Sequence, residues 1–481
     1  MKHMHRLAAF SALLISISSS SLFASGNPEG QTQLLKQLNT VSSTGTMQAD
    51  QIQQDMGSLT MLYRYIDSLY YEDVDKAVVK ENLATAMLDA LGDKYSFYTP
   101  KEESESYEEQ ISGKYGGIGV YLSKPSPKNI DPDDPSTYMV TIDSPFKGSP
   151  AQRAGLLSGD MISAIDGESV RDMTSSEASK KVRGEAGTEV TLTVVRDDST
   201  FDITLVREII DSPVVEGTML DHQIGYIAVS SYTTDVSQQF LDKIRELKGE
   251  GMEYLIIDER NNGGGNVNEA LKMADIFLPS GATIVTMEGR KGTNTNQRYV
   301  SDGSQQIGQN LPVVILVNGG TASASEIFAA ALHDNNRATL VGTKTFGKGI
   351  FQTVFPFGDG YVQLTTGHYY TPNGINIHGT GIEPDIVSAD TKLEDDQIPA
   401  YEQLMKDKAP QEFVKAHPEY TMENVQKFVD ENKDRGIDDN ILKVLVRNEY
   451  YSKRRFSEMP VADPSYDSQL QRAIDFFVQG K

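Results

Sequence analysis

Apolar and polar positions divide this chain into blocks with different periods. Leu59, Leu62, Ile66 and Leu69 fall at i, i+3, i+7 and i+10, one face of a helix, and Leu83, Met87 and Leu91 repeat at i, i+4 and i+8. The spacing predicts two short helices ahead of Asp93-Lys94-Tyr95-Ser96. Before them, Asn27 to about Gln54 is polar, rich in Gln, Ser and Thr, and reads as a flexible lead-in. Further on, Ile224–Val229 and Tyr254–Asp258 are strand-like runs on either side of a helix around Gln238–Leu247. Asn266–Phe277 reads as a helix and Pro312–Val317 as a strand. Helices interleaved with strands over about 209–390 predict an α/β core. After Asp390 the chain turns charged and helical, as over Met422–Lys433 and Asn440–Val446.

Between the first helices and this core, turns and strands dominate. Tyr115-Gly116-Gly117-Ile118-Gly119-Val120-Tyr121-Leu122 is a glycine turn running into a strand. Ser149–Leu156 and Gly159–Gly167 add a helix, a turn and a strand, and the order resembles a PDZ domain over residues 111–208. In a PDZ domain such a loop offers backbone N–H groups to a peptide's C-terminal carboxylate, while the next strand pairs with the peptide backbone. Gly117, Ile118, Gly119 and Val120 are therefore the candidate tail-binding residues. A glycine-rich hairpin without a ligand is the plainer alternative. Lys124–Pro135, with four prolines and three aspartates, reads as a solvated insertion loop.

Composition narrows the compartment more than the chemistry. At 481 residues the chain has room for two to four domains. A net charge of −24 argues against nucleic acid and anionic membrane surfaces as partners. Lys2 and Arg6 precede an apolar stretch of 11, Leu7–Ile17, and Ala24-Ser25-Gly26 supplies a cleavage site. Residues 1–25 thus read as a secretory signal peptide, too short to span a bilayer, and the periplasm or a comparable extracytoplasmic space is the expected location. No later segment reaches 18 apolar residues, so no membrane span is expected once the signal is removed. The absence of cysteine excludes disulfides, a cysteine nucleophile and lipid attachment through an N-terminal cysteine.

The chemistry-bearing pattern is Ser323 with Lys348. Ser323 lies in Thr321-Ala322-Ser323-Ala324-Ser325-Glu326, after the aliphatic run 313–317 and a Gly-Gly step. Strand, turn and helix start would lift the hydroxyl out of the sheet and aim free N–H groups at whatever it attacks. Lys348 sits between Gly347 and Gly349. As a base it must lose roughly 3 units from a pKa of about 10.4, which burial supplies. The plainer readings are an N-cap serine and a solvated lysine. Gly342–Lys348 also fits the start of a phosphate-binding G-x-x-x-x-G-K loop, but Gly349 stands where a hydroxyl is required and β-branched residues follow. Seven histidines show no zinc-ligand spacing, so no metal and no cofactor is expected; His378 is the best candidate for a Ser-His-Asp arrangement.

Four ordered segments resemble the C-terminal processing (tail-specific) proteases. They are Asp258–Gly265 (Asp-Glu-Arg-Asn-Asn-Gly-Gly-Gly), Thr321–Ile327, Lys344–Gly349, and Tyr370–Gly374 with Gly379–Asp385. The resemblance spans roughly residues 55–390 and assigns roles by position. Ser323 matches the nucleophile, Lys348 the general base, and Gln352 the side chain that positions the lysine; the backbone N–H groups of Gly265 and Ala324 match the oxyanion hole. Glu259 stands where the family usually has an aliphatic residue and Gly263 where it often has proline; neither position is expected to carry chemistry.

The expected fold is multidomain α+β. It comprises the signal peptide (1–25), a flexible lead-in (26–54), a helical N-terminal element (55–110), a PDZ-like β-rich domain (111–208), a protease core (209–390) and a helical C-terminal region (391–481). The resemblance implies a crotonase-like β-β-α superhelical core and protein substrates with unstructured C-terminal tails; the C-terminal helices read either as packing against the core or, by the resemblance, as a dimerisation arm, and any regulatory adaptor is unidentified. The expected activity is a serine endopeptidase acting through an acyl-enzyme. Two other classes stand beside it: a catalytically inactive PDZ scaffold, and crotonase-like acyl-CoA chemistry, which would leave the PDZ-like module and the signal peptide unexplained.

Overall fold

The computed structural model describes residues 46–101, 103, 109, 112–124, 130, 135–196, 199–290, 296–304, 310–389, 393–452 and 459–480. The expected signal peptide, the lead-in up to residue 45 and most of the insertion loop lie outside the described residues. The chain divides into two compact units. One combines the described residues up to Ser112 with Ile227–Ile386, and the other combines Gly113–Tyr226 with the C-terminal residues from Val387.

In the first unit, helix α1 (Thr46–Leu69) has 24 residues and α2 (Lys76–Asp89) has 14. This corrects the expected pair of short helices and a lead-in reaching Gln54: the chain is helical from Thr46. Met56, Leu59, Leu62 and Leu69 on α1 are exposed, so these apolar positions do not form a buried stripe. Asp75 caps α2 by accepting the N–H groups of Ala77 and Val78. Strand β1 (Phe97–Thr99) follows.

The core of this unit is a parallel sheet. Strand β2 (Ile224–Val229), whose residues from Ile227 belong here, leads through helix α3 (Val236–Gly249) to β3 (Tyr254–Asp258) and helix α4 (Val267–Asp275). Strands β4 (Thr283–Gly289) and β5 (Gln297–Val300) precede β6 (Val313–Val317), helix α5 (Ala324–Asp334) and β7 (Ala338–Gly342). β3, β6 and β7 pair in parallel, Leu255 opposite Val313 and Val313 opposite Ala338. All five residues of β6 are buried, as a strand covered on both faces requires. Phe240, Phe277 and Phe328 meet edge to face at 6.1–6.3 Å and lock α3 and α5 together over the sheet. An antiparallel sheet completes the unit: β8 (Ile350–Phe357) pairs with β9 (Gly360–Tyr370), which also pairs with β1 and β4.

In the second unit, Val120–Ser123, Val140–Pro145, Met161–Ile165, Glu189–Arg196 and Ser199–Val206 form an antiparallel sheet in that order. Its inward positions Ile142, Ile162, Val190, Leu192 and Val194 are completely buried, matching the alternating pattern of half-buried strands. A helix over Ser175–Val182 starts at a capping box between Thr174 and Glu177. The C-terminal helices, from Ile398–Lys406 to Asp439–Tyr451, pack around Leu404, Phe428, Val429, Leu442 and Val446.

Candidate active site

Ser323 stands at the turn between β6 and α5, with φ 66° and ψ −118°, a left-handed conformation that a residue with a Cβ occupies only under strain. It is completely buried, and its Oγ has no hydrogen-bond partner among the described residues. The hydroxyl therefore does not cap the helix, although the residue holds the N-cap position. The Glu326 side chain does the capping instead. Its Oε2 accepts the Ser323 N–H at 2.8 Å and the Lys348 N–H at 2.8 Å. Its Oε1 accepts the Thr345 hydroxyl at 2.6 Å and the Gly347 N–H at 2.8 Å. Burial pushes the Glu326 carboxyl upward, and these four donors pull it back.

Lys348 is almost wholly buried, and its Nζ lies 4.5 Å from the centroid of the Tyr95 ring. Burial drives its pKa down to about 7. Asp93 opposes the shift, Lys94 adds to it, and Glu326 opposes it. A lysine in this state is substantially neutral near neutral pH, which the base role demands. Asp93 is itself fixed, accepting the Ser96 hydroxyl at 2.6 Å and the Tyr95 N–H at 3.0 Å. Burial acts to raise its carboxyl, but these bonds, one involving Thr365 and the Lys348 charge hold it below the ordinary value.

Gln352, four residues after Lys348 and the third residue of β8, is buried. Its Nε2 donates to Thr365 Oγ1 at 3.1 Å and its Oε1 accepts nothing, so in this structure it does not hold Lys348 by a hydrogen bond as the sequence suggested. Nor does His378 join Ser323: its ring stands edge-on to His368, centroids 5.9 Å apart. The segment after Gly349 is strand β8, which disposes of the phosphate-loop reading. Among the described residues, no group of three or more His, Cys, Asp or Glu side chains is arranged to hold a metal. No helix among them is long and apolar enough to cross a membrane.

The Asp258–Gly265 segment packs against the serine turn. Asn318 Oδ1 accepts the Asn261 N–H at 2.9 Å, and Thr321 Oγ1 donates to the Glu259 carbonyl at 2.8 Å. Gly264 has φ 97°, and a Cβ there would come within 2.8 Å of the Ala324 nitrogen; one at Gly265, φ 140°, would fall 2.4 Å from the Tyr232 carbonyl oxygen. Both positions thus require glycine. Among the described residues, neither the Gly265 nor the Ala324 N–H has a hydrogen-bond partner. An open cleft of about 540 Å³ is lined by their chain neighbours Gly264 and Ala322 together with Tyr95, Asn261, Phe346 and Lys348.

Glu259, expected to carry no chemistry, is nonetheless tied into the structure around the serine turn. Its side chain is fully buried, accepting Tyr232 OH at 2.7 Å and Asn262 Nδ2 at 2.7 Å. Burial raises it to about 8 against the hydrogen bonds of Tyr232, Ser325 and Asn262. Sequence reasoning missed Glu259, Glu326 and Asp93 as contributors to the site. The Ser-x-x-Glu spacing of a capping box was the one local signal for Glu326.

In the second unit, the edge strand Val120–Ser123 and the helix Ser175–Val182 flank an open groove of about 650 Å³ that includes Gly117, Ile118, Gly119 and Val120. The Ile118 and Gly119 carbonyls are occupied by the Ala151 and Phe146 N–H groups. The Ile118 and Gly119 N–H groups have no partner among the described residues.

Comparison with known proteins agrees in both units. The family model of peptidase family S41 matches residues 223–388, and the PDZ domain model matches residues 141–196. A probable CtpA-like serine protease of Staphylococcus aureus (strain COL) is 38% identical over 335 residues, 69% of this chain and 65% of that protein. The chain therefore spans slightly less than two thirds of that relative's length. A probable CtpA-like serine protease of Staphylococcus saprophyticus subsp. saprophyticus is 35% identical over 366 residues, 75% of this chain and 69% of that protein. Among solved structures, a photosystem II D1 C-terminal processing protease is similar at 27% identity with a TM-score of 0.41, over 69% of this chain and 86% of that one.

Proposed function

Since the chain belongs to the C-terminal processing proteases of peptidase family S41 and carries a PDZ domain, we propose that it is a serine endopeptidase whose nucleophile is Ser323 and whose base is Lys348. The observation that carries this reading is the buried lysine, pushed to about 7 and anchored through its backbone to the same carboxylate as the serine. Neutral Lys348 takes the Ser323 proton as Oγ attacks the scissile carbonyl, and the Gly265 and Ala324 N–H groups receive the oxyanion. Lys348 then protonates the leaving amine, and water hydrolyses the acyl-serine with Lys348 again as base. Rotation of Ser323 Oγ toward Lys348, and of Gln352 toward the lysine, completes the arrangement when substrate enters the cleft.

In this reading the PDZ groove receives the free C-terminal tail of a protein substrate, its carboxylate on the Ile118 and Gly119 N–H groups and its backbone along Val120–Ser123. We assign the core over 209–390 to the crotonase-like superhelical type, and place the protein outside the cytoplasm on the strength of residues 1–25.

The test compares cleavage of tail-labelled peptides by wild type, Ser323→Ala and Lys348→Arg, with peptide binding measured in parallel. Both variants bind but do not cut, because arginine keeps the charge and cannot serve as a base. Cutting by either variant overturns the dyad. The inactive-scaffold reading survives only if wild type binds tails and never cuts them.

A further inference from the structure

We infer that Glu259 is a positioning residue for the oxyanion site: its buried carboxyl joins Asn262 to Tyr232 and thereby fixes the peptide plane of Gly265. The inference rests on the reading of Ser323 and Gly265 given above. Two residues hold the Gly264–Gly265 turn from opposite sides. On one side, Asn262 Oδ1 accepts the Gly264 N–H at 2.8 Å, while its backbone oxygen accepts the Ala322 N–H at 3.0 Å and the Ser325 hydroxyl at 3.0 Å. On the other, the Tyr232 N–H donates to the Gly264 carbonyl at 2.9 Å, its carbonyl accepts the Asn266 N–H at 2.7 Å, and Tyr232 and Gly265 form a parallel bridge. The Gly265 N–H thus lies between clamped neighbours. The two clamps share one acceptor group, the Glu259 carboxyl, with Tyr232 on Oε1 and Asn262 on Oε2.

The Glu259 backbone is as constrained as its side chain. Its N–H donates to Leu316 O at 3.0 Å and its carbonyl accepts Thr321 Oγ1 at 2.8 Å, tying it to β6 and to the serine turn. A leucine at 259 would leave Tyr232 OH buried without its acceptor and leave the Asn262 amide held only by the Val229 carbonyl at 2.8 Å and the Gly264 N–H. The clamp also has a protonation state. The titratable groups facing Glu259 among the described residues are Tyr232, itself pushed up by burial, and Asp258, which is paired with Arg260 at 2.9 Å. Neutral Glu259 holds both neighbours without placing charge behind the oxyanion donors. Ionised, it sets a buried negative charge behind N–H groups that must stabilise another, so turnover falls as pH rises through about 8.

The experiment measures kcat and KM of the full chain on a tail peptide from pH 6 to 10 for wild type, Glu259→Leu and Glu259→Gln, with Ser323→Ala alongside. Glu259→Leu lowers kcat roughly 10- to 100-fold with KM nearly unchanged, the signature of a misaimed oxyanion donor. Glu259→Gln, neutral at every pH and able to accept from Asn262 Nδ2 through Oε1 while its Nε2 donates to the Tyr232 hydroxyl oxygen, restores kcat to within about threefold and abolishes the fall above about pH 8. Wild-type kcat in Glu259→Leu, or a persisting alkaline fall in Glu259→Gln, overturns the inference while an inactive Ser323→Ala leaves the serine reading standing. If Glu259→Leu does not fold, the Glu259→Gln profile alone decides. Cleavage by Ser323→Ala overturns the serine reading, and this inference with it.

Discussion

Ser323 and Lys348, 25 residues apart in sequence, hang by their backbone N–H groups from the same oxygen, Glu326 Oε2, at 2.8 Å each. One buried carboxylate therefore sets the register between the two residues of the proposed dyad. The lysine side chain is positioned separately, by the Tyr95 face and the Asp93 charge.

Removing the buried amine should stabilise the protein. In the unfolded chain Lys348 binds its proton below its ordinary 10.5, and in the folded protein only below about 7. Stability is therefore lost as pH falls from about 10.5 to about 7, and the loss is constant below that. Lys348→Met removes a penalty of at most roughly 5 kcal/mol at pH 6, a gain that vanishes toward pH 10.5. Denaturant titrations at pH 6, 8 and 10 check this; a methionine variant less stable at pH 6 contradicts it.

The strained turn at Ser323 predicts an inverted order of stability. Alanine normally exceeds glycine by up to about 1 kcal/mol near a helix. At φ 66° and ψ −118°, however, glycine escapes a strain of about 1–3 kcal/mol. Ser323→Gly should therefore unfold at higher denaturant than Ser323→Ala, with both inactive. The reverse order would show the turn to be relaxed.

Asp93 should set the pH at which activity appears. Its negative charge holds the Lys348 pKa above where burial alone would take it. Asp93→Asn keeps an acceptor for Ser96 and removes the charge, so the rising limb of kcat/KM moves to lower pH. A profile shifted upward, or unmoved, contradicts this electrostatic assignment.

The PDZ groove predicts selectivity for free tails. Carboxylate capture by backbone donors contributes very roughly 1.5–3 kcal/mol, so a peptide ending in a free apolar residue should be cut about tenfold or more faster than its C-terminal amide. Equal rates would remove the tail-reading assignment and leave the protease.

What the sequence made legible follows the range of the interactions. Ser323 and Lys348 stand out as candidates in the sequence because strand, glycine step and helix start are local patterns and the two segments resemble the family's motifs, and the glycines at 117 and 119 stand out in the same way. The start of α1 escaped because the Gln- and Asp-rich composition of Thr46–Gln54 reads as a lead-in and outweighs the Ala49, Ile52 and Met56 spacing that continues into Leu59. The Glu259–Tyr232 bond joins residues 27 positions apart, and Tyr95 reaches Lys348 from the far end of the same unit. No local period encodes such pairs; only the closed fold brings them together. Gln352 shows the converse: its position in the motif was legible, while its hydrogen bond in this structure goes to Thr365.

The most direct test of the account traps the acyl-enzyme. Wild-type protein is mixed with an activated ester of a tail peptide, quenched in acid within the first turnover, and the adduct is located by peptide mapping. The account predicts a single ester on Ser323, accumulating faster as pH rises through about 7 and absent in Lys348→Arg. An adduct on Ser325, or turnover without any covalent adduct, would contradict it.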